Sequence, residues 1–163
     1  MTQKLNSMRL LEQHKIPYEV VPYPDELRDA ELIAEVLGVP PHIVYKTLVV
    51  EPDRPGAKPI LVMIASDRSL DLKKLAQVAG EKKLRMASHK DAEAHTGLKV
   101  GGISALALTH KNWVVYLDEP AMQQEHILMS AGQRGLDLRV PTAVLLPLIR
   151  ARIADVSVPA GES

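Results

Sequence analysis

No cysteine occurs anywhere in the 163-residue chain. Disulfides, thiolate zinc sites and a cysteine nucleophile are therefore excluded as devices of this protein. Phenylalanine is also missing and tryptophan occurs once, so the aromatic platforms that stack single-stranded bases are hard to build. Net charge is lacking too. Twenty basic residues balance 20 acidic ones, which argues against a strong, sequence-independent grip on nucleic acid. No apolar run approaches the roughly 20 residues that a membrane-spanning helix needs, and no membrane partner is expected. Residues 1–6 lack the basic patch and apolar stretch of a secretory leader, and a cytoplasmic location is expected.

What is present suits one domain with a core of its own: 46% hydrophobic and 25% charged residues over 163 positions. Residues 1–155 are expected to form that domain, with 156–163 as a flexible tail. Leu5, Met8 and Leu11 give a partial apolar stripe for a helix over 4–14, and Pro17 stops it before a short strand at 18–21. Asp29 can cap a helix whose apolar face is Leu32, Ile33, Val36 and Leu37, with Gly38 as its stop. Strands are expected at 44–50 and 60–65, paired as a hairpin across a loop rich in proline. Asp71 can cap a helix to Ala79, closed by Gly80, and Ser88 can open a shorter one to His95. Beyond the glycine-bearing loop 96–104, strands are expected at 105–108, 113–117, 126–129 and 136–140. A last helix is expected over 142–153, bent or delayed by Pro147. Helices and strands mix without regular alternation, which favours an α+β domain.

Standard catalytic signatures are absent. There is no phosphate-binding loop of the Walker type, and Gly97, Gly101 and Gly102 do not have the spacing of a dinucleotide fingerprint. The six histidines are scattered, none in the pairing of a zinc peptidase. No metal or cofactor is expected.

Two segments carry chemistry. In Val44-Tyr45-Lys46-Thr47-Leu48-Val49-Val50, strand alternation puts Lys46 on the face of Val44, Leu48 and Val50. A lysine there needs a partner or a cavity and can hold an anion or polarise a carbonyl. An edge-strand lysine that discourages aggregation is the other reading of the same residues. In Thr96-Gly97-Leu98-Lys99-Val100-Gly101-Gly102-Ile103-Ser104, adjacent glycines let backbone approach a ligand and aim N–H groups at one oxygen, and Ser104 adds a hydroxyl. A tight turn into the next element is the alternative. Lys73, Lys74, Lys82, Lys83, Arg85 and Lys90 lie close together in sequence. They form either a local face for phosphates or a solvated surface.

Four segments in register resemble the YbaK family of free-standing aminoacyl-tRNA deacylases, relatives of the editing domain of prolyl-tRNA synthetase. They are Val44-Tyr45-Lys46-Thr47-Leu48, Leu70-Asp71-Leu72-Lys73-Lys74, Thr96-Gly97 with Val100-Gly101-Gly102-Ile103-Ser104, and Arg134-Gly135-Leu136-Asp137. The resemblance runs from about residue 8 to 155. It implies an α+β fold with a mixed, partly barrel-like sheet surrounded by helices. It implies removal of a misattached amino acid from tRNA, by ester hydrolysis or substrate-assisted elimination, with cysteine or alanine on tRNA for proline as the first expectation. Lys46 would be the catalytic residue. Tyr23, Gly97, Gly101, Gly102, Ile103, Ser104 and Asp137 would bind substrate, with Asp137 either a general base or the ion-pair partner of Lys46. A ribose hydroxyl or the substrate's own thiol would assist, so no triad is needed. Mischarged tRNA is the implied partner, with prolyl-tRNA synthetase a candidate second one, and a monomer is expected. A catalytically silent module that binds tRNA ends or a synthetase on the same fold is the alternative. The sequence departs from the family pattern at Leu98, Ala105 and Ala107, where an aromatic residue, a proline and a glycine are usual, and a shifted substrate profile is expected from these changes.

Overall fold

A computed structural model describes residues 4–161. The start of the leader reading, at Met1 to Gln3, and the last two residues of the expected tail lie outside it. The elements run α1 (Asn6–Gln13), β1 (Glu19–Pro22), α2 (Ala30–Leu37), β2 (Tyr45–Pro52), β3 (Ile60–Ala65), β4 (Arg68–Leu70), α3 (Leu72–Ala79) and β5 (Leu84–Met86). They continue with α4 (His89–Thr96), β6 (Val115–Asp118), β7 (His126–Gln133), β8 (Leu136–Pro141), α5 (Thr142–Ile149), β9 (Ala151–Ala154) and β10 (Ser157–Pro159). Short 3-10 turns sit at Pro41–Ile43, Leu106–Lys111 and Glu119–Gln123. Among the described residues, no helix is long and apolar enough to cross a membrane.

The larger sheet has the order β5-β2-β3-β6-β9 and a second one the order β1-β8-β7. β2 and β3 form the expected antiparallel hairpin, with Lys46 opposite Ile64. β6 lies parallel to both β3 and β9, so this sheet is mixed. The two sheets touch at one parallel bridge, Val44 to Leu128. They curve round a common core without closing a barrel. That core includes Leu11, Tyr45, Met63, Leu106, Leu117, Met129 and Leu138, and lies between the sheets, α1 and α5.

Local signals explain most helix ends. The Asp29 carboxylate accepts from the Glu31 N–H, the Asp71 carboxylate from Lys73 and Lys74, and the Ser88 hydroxyl from Asp91. Gly38, Gly80 and Gly97 close their helices in the left-handed conformation.

Three expectations need correction. Residues 105–108 form no strand. Ala107 and Leu108 N–H groups donate to Ser104 and Ala105 carbonyls, and Leu106 and Leu108 are buried. The Ala-Leu-Ala-Leu run contains no β-branched residue to favour a strand. The last helix ends at Ile149, with Arg150 left-handed at φ 53°. Residues 151–154 then pair with β6, tertiary pairing having overridden a stretch without strand pattern. The expected tail is ordered as far as Gly161. Val156 and Ser157 are buried, β10 pairs with β4, and the buried Asp118 accepts from the Val156 N–H and the Ser157 hydroxyl. Lys74 also donates to the Ser157 carbonyl at 3.1 Å. The Leu70–Lys74 motif therefore caps a helix and anchors the C-terminal segment.

Candidate functional site

A cavity of about 250 Å³ opens where the two sheets part. That is below the usual range of roughly 300–1,000 Å³ for drug-sized ligands, so it suits a small group. Lys46 lines it, together with Tyr23, Gly101, Ile103 and Asp137. Residues from four separate segments thus converge, three of them from the sequence motifs and Tyr23 from outside them, whereas the Leu70–Lys74 motif does not reach the cavity. Lys46 is half-buried and forms none of the ion pairs seen among the described residues. Asp137 is therefore not its ion-pair partner.

Asp137 sits in β8, only 4% exposed. Burial pushes its pKa up to about 7, and among the described residues no hydrogen bond or cation offsets that cause. Tyr23 is buried as well, and its hydroxyl donates to the Gly101 carbonyl across 3.4 Å. Burial, then the nearby charge of Asp137, raise the pKa of this phenol.

The glycine loop is held from both ends. Arg134 Nε donates to the Val100 carbonyl at 2.7 Å, and the Val100 N–H donates to Glu93 Oε2 at 2.8 Å. Gly101 takes φ 93°, and a Cβ there would stand 3.3 Å from Arg28 Cγ. Gly97, Gly102 and Ser104 do not line the cavity. Gly97 ends α4. The Gly102 N–H is spent on the Lys99 carbonyl at 2.7 Å. A Cβ on Gly102 would press to 2.9 Å of the Arg134 amide nitrogen. Two converging glycine amides, as read from the sequence, are thus not available together. Ser104 is fully buried, and its hydroxyl has no hydrogen-bond partner among the described residues. The Arg134–Asp137 motif resolves into parts: Arg134 pins the loop, Gly135 accepts from the Tyr23 N–H, and Asp137 faces the cavity.

The sequence reading missed Arg28, Ile33, Met86, His89 and Ser130, all of which line the cavity. The Asp29 cap could have flagged Arg28, because it fixes where α2 begins. For Ser130 no local signal existed, since its place depends on how the two sheets meet.

The family profile described as an aminoacyl-tRNA editing domain matches residues 25–148. This chain belongs to that family. The editing domain is 38% identical over 157 residues to EbsC of Enterococcus faecalis, named as a candidate Cys-tRNA(Pro)/Cys-tRNA(Cys) deacylase. That match covers 95% of the chain and 94% of the relative. Its fold is shared with a crystal structure of the hypothetical protein APE2540, at a TM-score of 0.85 and 23% identity, over 94% of this chain and 100% of that one. It is shared too with a crystal structure titled as a candidate trans-editing enzyme for prolyl tRNA synthetase, at a TM-score of 0.78 and 23% identity, over 96% and 99%.

Proposed function

We propose that this editing domain is a trans-editing aminoacyl-tRNA deacylase that clears a mischarged amino acid, with cysteine or alanine on tRNA for proline as its substrates. The observation that carries the reading is Lys46 on a small cavity shared with Tyr23, Gly101 and Asp137. The relative's name as a Cys-tRNA(Pro) deacylase supports it.

In this mechanism the aminoacyl ester enters the cavity and Lys46 places a cation near the developing oxyanion. A carboxyl with a pKa near 7 is suited to proton transfer at neutral pH, so Asp137 takes the proton from the attacking group. Water, or the thiol of a misplaced cysteine, forms the new bond to the ester carbon. The ester C–O bond breaks, and the ribose oxygen leaves with a proton returned from Asp137. Tyr23 and Gly101 fix the cavity wall, and Ile103 contributes an apolar contact. An association with prolyl-tRNA synthetase, a monomeric state and a cytoplasmic location belong to the same proposal.

The test is hydrolysis of a panel of mischarged tRNAs by the purified protein. Turnover of cysteinyl- or alanyl-tRNA for proline is the expected result. Tight binding without turnover would instead favour a silent module.

A further inference from the structure

The cavity is bounded by a ladder that stops one rung short. The Ser66 N–H donates to the Val44 carbonyl at 2.8 Å, and Val44 belongs to the register that pairs Lys46 with Ile64. In an antiparallel pair, hydrogen-bonded residues alternate. Val44, Lys46, Leu48 and Val50 therefore turn their backbone groups toward β3. Tyr45, Thr47 and Val49 turn theirs to the opposite edge. The Ala87 N–H donating to Val49 O at 3.0 Å, on the β5 side, agrees with this.

On that opposite edge β5 begins its register only at Val50, and β7 bridges only at Val44 to Leu128. Among the described residues, no strand pairs with β2 there between Lys46 and Val49. Continued in step, the parallel ladder would next set Lys46 against Ser130. Its bonds would run from the Ser130 N–H to the Tyr45 carbonyl, and from the Thr47 N–H to the Ser130 carbonyl. β7 is oriented for it. The Tyr23 N–H bonds to Gly135 O in the β1–β8 register, so Asp137 turns its backbone toward β1 and Ser130, its cross-strand neighbour, turns away from β8. The rung does not form, and Tyr45, Thr47 and Ser130 line the cavity instead.

We propose that the aminoacyl group takes the place of this missing rung, as a strand one residue long: its α-ammonium donates to the Tyr45 carbonyl and its ester carbonyl accepts from the Thr47 N–H. This rests on the deacylase reading. An α-amino ester carries a donor and an acceptor in the same relation as the N–H and C=O of one residue, which is how a strand edge captures a peptide. The unpaired edge groups gain partners that water would otherwise supply. The Thr47 amide also stands beside the Lys46 residue, so both donors serve one oxyanion, in place of the Gly102 amide that the loop consumes. Recognition through the α-amino group and carbonyl is common to every amino acid. Side-chain choice is then left to the apolar wall.

Two measurements test this. The first compares alanyl-, lactyl- and propionyl-tRNA, with each kcat/KM divided by the spontaneous hydrolysis rate of that ester. Propionyl-tRNA, which has no donor, is expected to fall at least tenfold below alanyl-tRNA, with lactyl-tRNA between them. Equal normalised values for alanyl- and propionyl-tRNA overturn the proposal. The second compares Thr47→Pro, which deletes the N–H, with Thr47→Val, which keeps it. An open edge tolerates proline. Thr47→Pro is expected to have a kcat at least tenfold below that of Thr47→Val, and equal kcat values for the two folded variants overturn the Thr47 role. Should Thr47→Pro fail to fold by circular dichroism, an α-hydroxy acid at position 47 replaces the N–H by oxygen and is held to the same comparison. No hydrolysis of any aminoacyl-tRNA by the natural protein overturns the deacylase reading itself, and this proposal with it.

Discussion

The carboxyl of Asp137 acts on the phenol of Tyr23: its charge adds to burial in raising the Tyr23 pKa, whereas Asp137 itself is raised to about 7 by burial alone. The native state therefore binds a proton at Asp137 over a range where the unfolded chain, at the ordinary value of 3.8, has lost it. Stability linked to Asp137 is full below pH 4 and is lost as pH rises to about 7. The loss is on the order of 4 kcal/mol, from about three units of pKa. Asp137→Asn removes it. The variant is expected to be more stable than the natural protein at pH 8 and to show a flatter stability profile between pH 4 and 7, by urea denaturation. A variant less stable at pH 8 would mean that the carboxylate has a partner after all. In deacylation, the natural protein is expected to gain rate through an inflection near pH 7 that the variant lacks.

Lys46→Ala is expected to lower kcat/KM by a hundredfold or more, the usual loss for a donor to a developing oxyanion. Lys46 is half-buried and unpaired among the described ion pairs, so the change in folding stability should stay within about 1 kcal/mol. Thermal unfolding and single-turnover deacylation, run together, check both halves. Full activity in a folded variant would remove Lys46 from the mechanism.

The two adjacent glycines separate in the same experiment. Gly102 faces the Gln133–Arg134 backbone, where a Cβ would lie 2.9–3.1 Å from the nearest main-chain atoms. Gly102→Ala should cost about 1–3 kcal/mol of stability. Gly101 lies on the cavity with side chains of Arg28 and Arg134 about it and a φ of 93°. Gly101→Val should therefore depress activity as well as stability. If Gly102→Ala is as stable as the natural protein, the loop does not pack as described.

Much of this was legible in the sequence because it rests on local chemistry. Asp29, Asp71 and Ser88 cap their helices, Gly38 and Gly80 end theirs, and the β-branched run at 44–50 makes a strand. What was not legible depends on distant partners. Residues 151–154 become a strand because β6 offers an edge, and 156–159 are ordered because Asp118 binds them. The candidate site divides in the same way. Lys46 and Gly101 were signalled by their own neighbourhoods, but the open rung between β2 and Ser130 exists only once two sheets have met and parted.

The basic stretch also divides. Arg85 already pairs with Glu51 at 3.0 Å and Asp53 at 3.5 Å, and Lys74 with Asp155 at 3.2 Å. Lys82 and Lys83 are exposed and enter none of the ion pairs seen among the described residues. Lys82→Ala with Lys83→Ala should weaken tRNA binding and reduce its salt slope by about 0.9 log units per lost phosphate contact, on the duplex scale. Arg85→Ala should leave the slope as it was. Filter binding over a salt series decides. No change with the lysine pair makes them ordinary surface.

A shifted substrate profile is expected from Leu98 and Ala105, and their positions in the fold argue otherwise. Neither lines the cavity. Leu98 packs against the main core, with its N–H donating to Thr96 Oγ1 at 3.1 Å. Ala105 is 1% exposed and opens the 3-10 turn at φ −62°. That angle lies within the range proline imposes on itself, so the φ of position 105 accepts Ala105→Pro. Its cost is the crowding of ring atoms in a packed site, about 1–3 kcal/mol of stability. Ile103, in contrast, is 9% exposed and forms part of the cavity wall. Shortening a wall residue changes discrimination by about 1–3 kcal/mol per methylene. The double change Leu98→Tyr with Ala105→Pro should therefore keep the relative rates on cysteinyl-, alanyl- and seryl-tRNA within about twofold. Ile103→Ala should move the ratio between the larger and smaller side chains by roughly tenfold. A reversed result, with the double change shifting the ratios and Ile103→Ala leaving them alone, would return specificity to the loop and show that the apolar wall is only scaffolding.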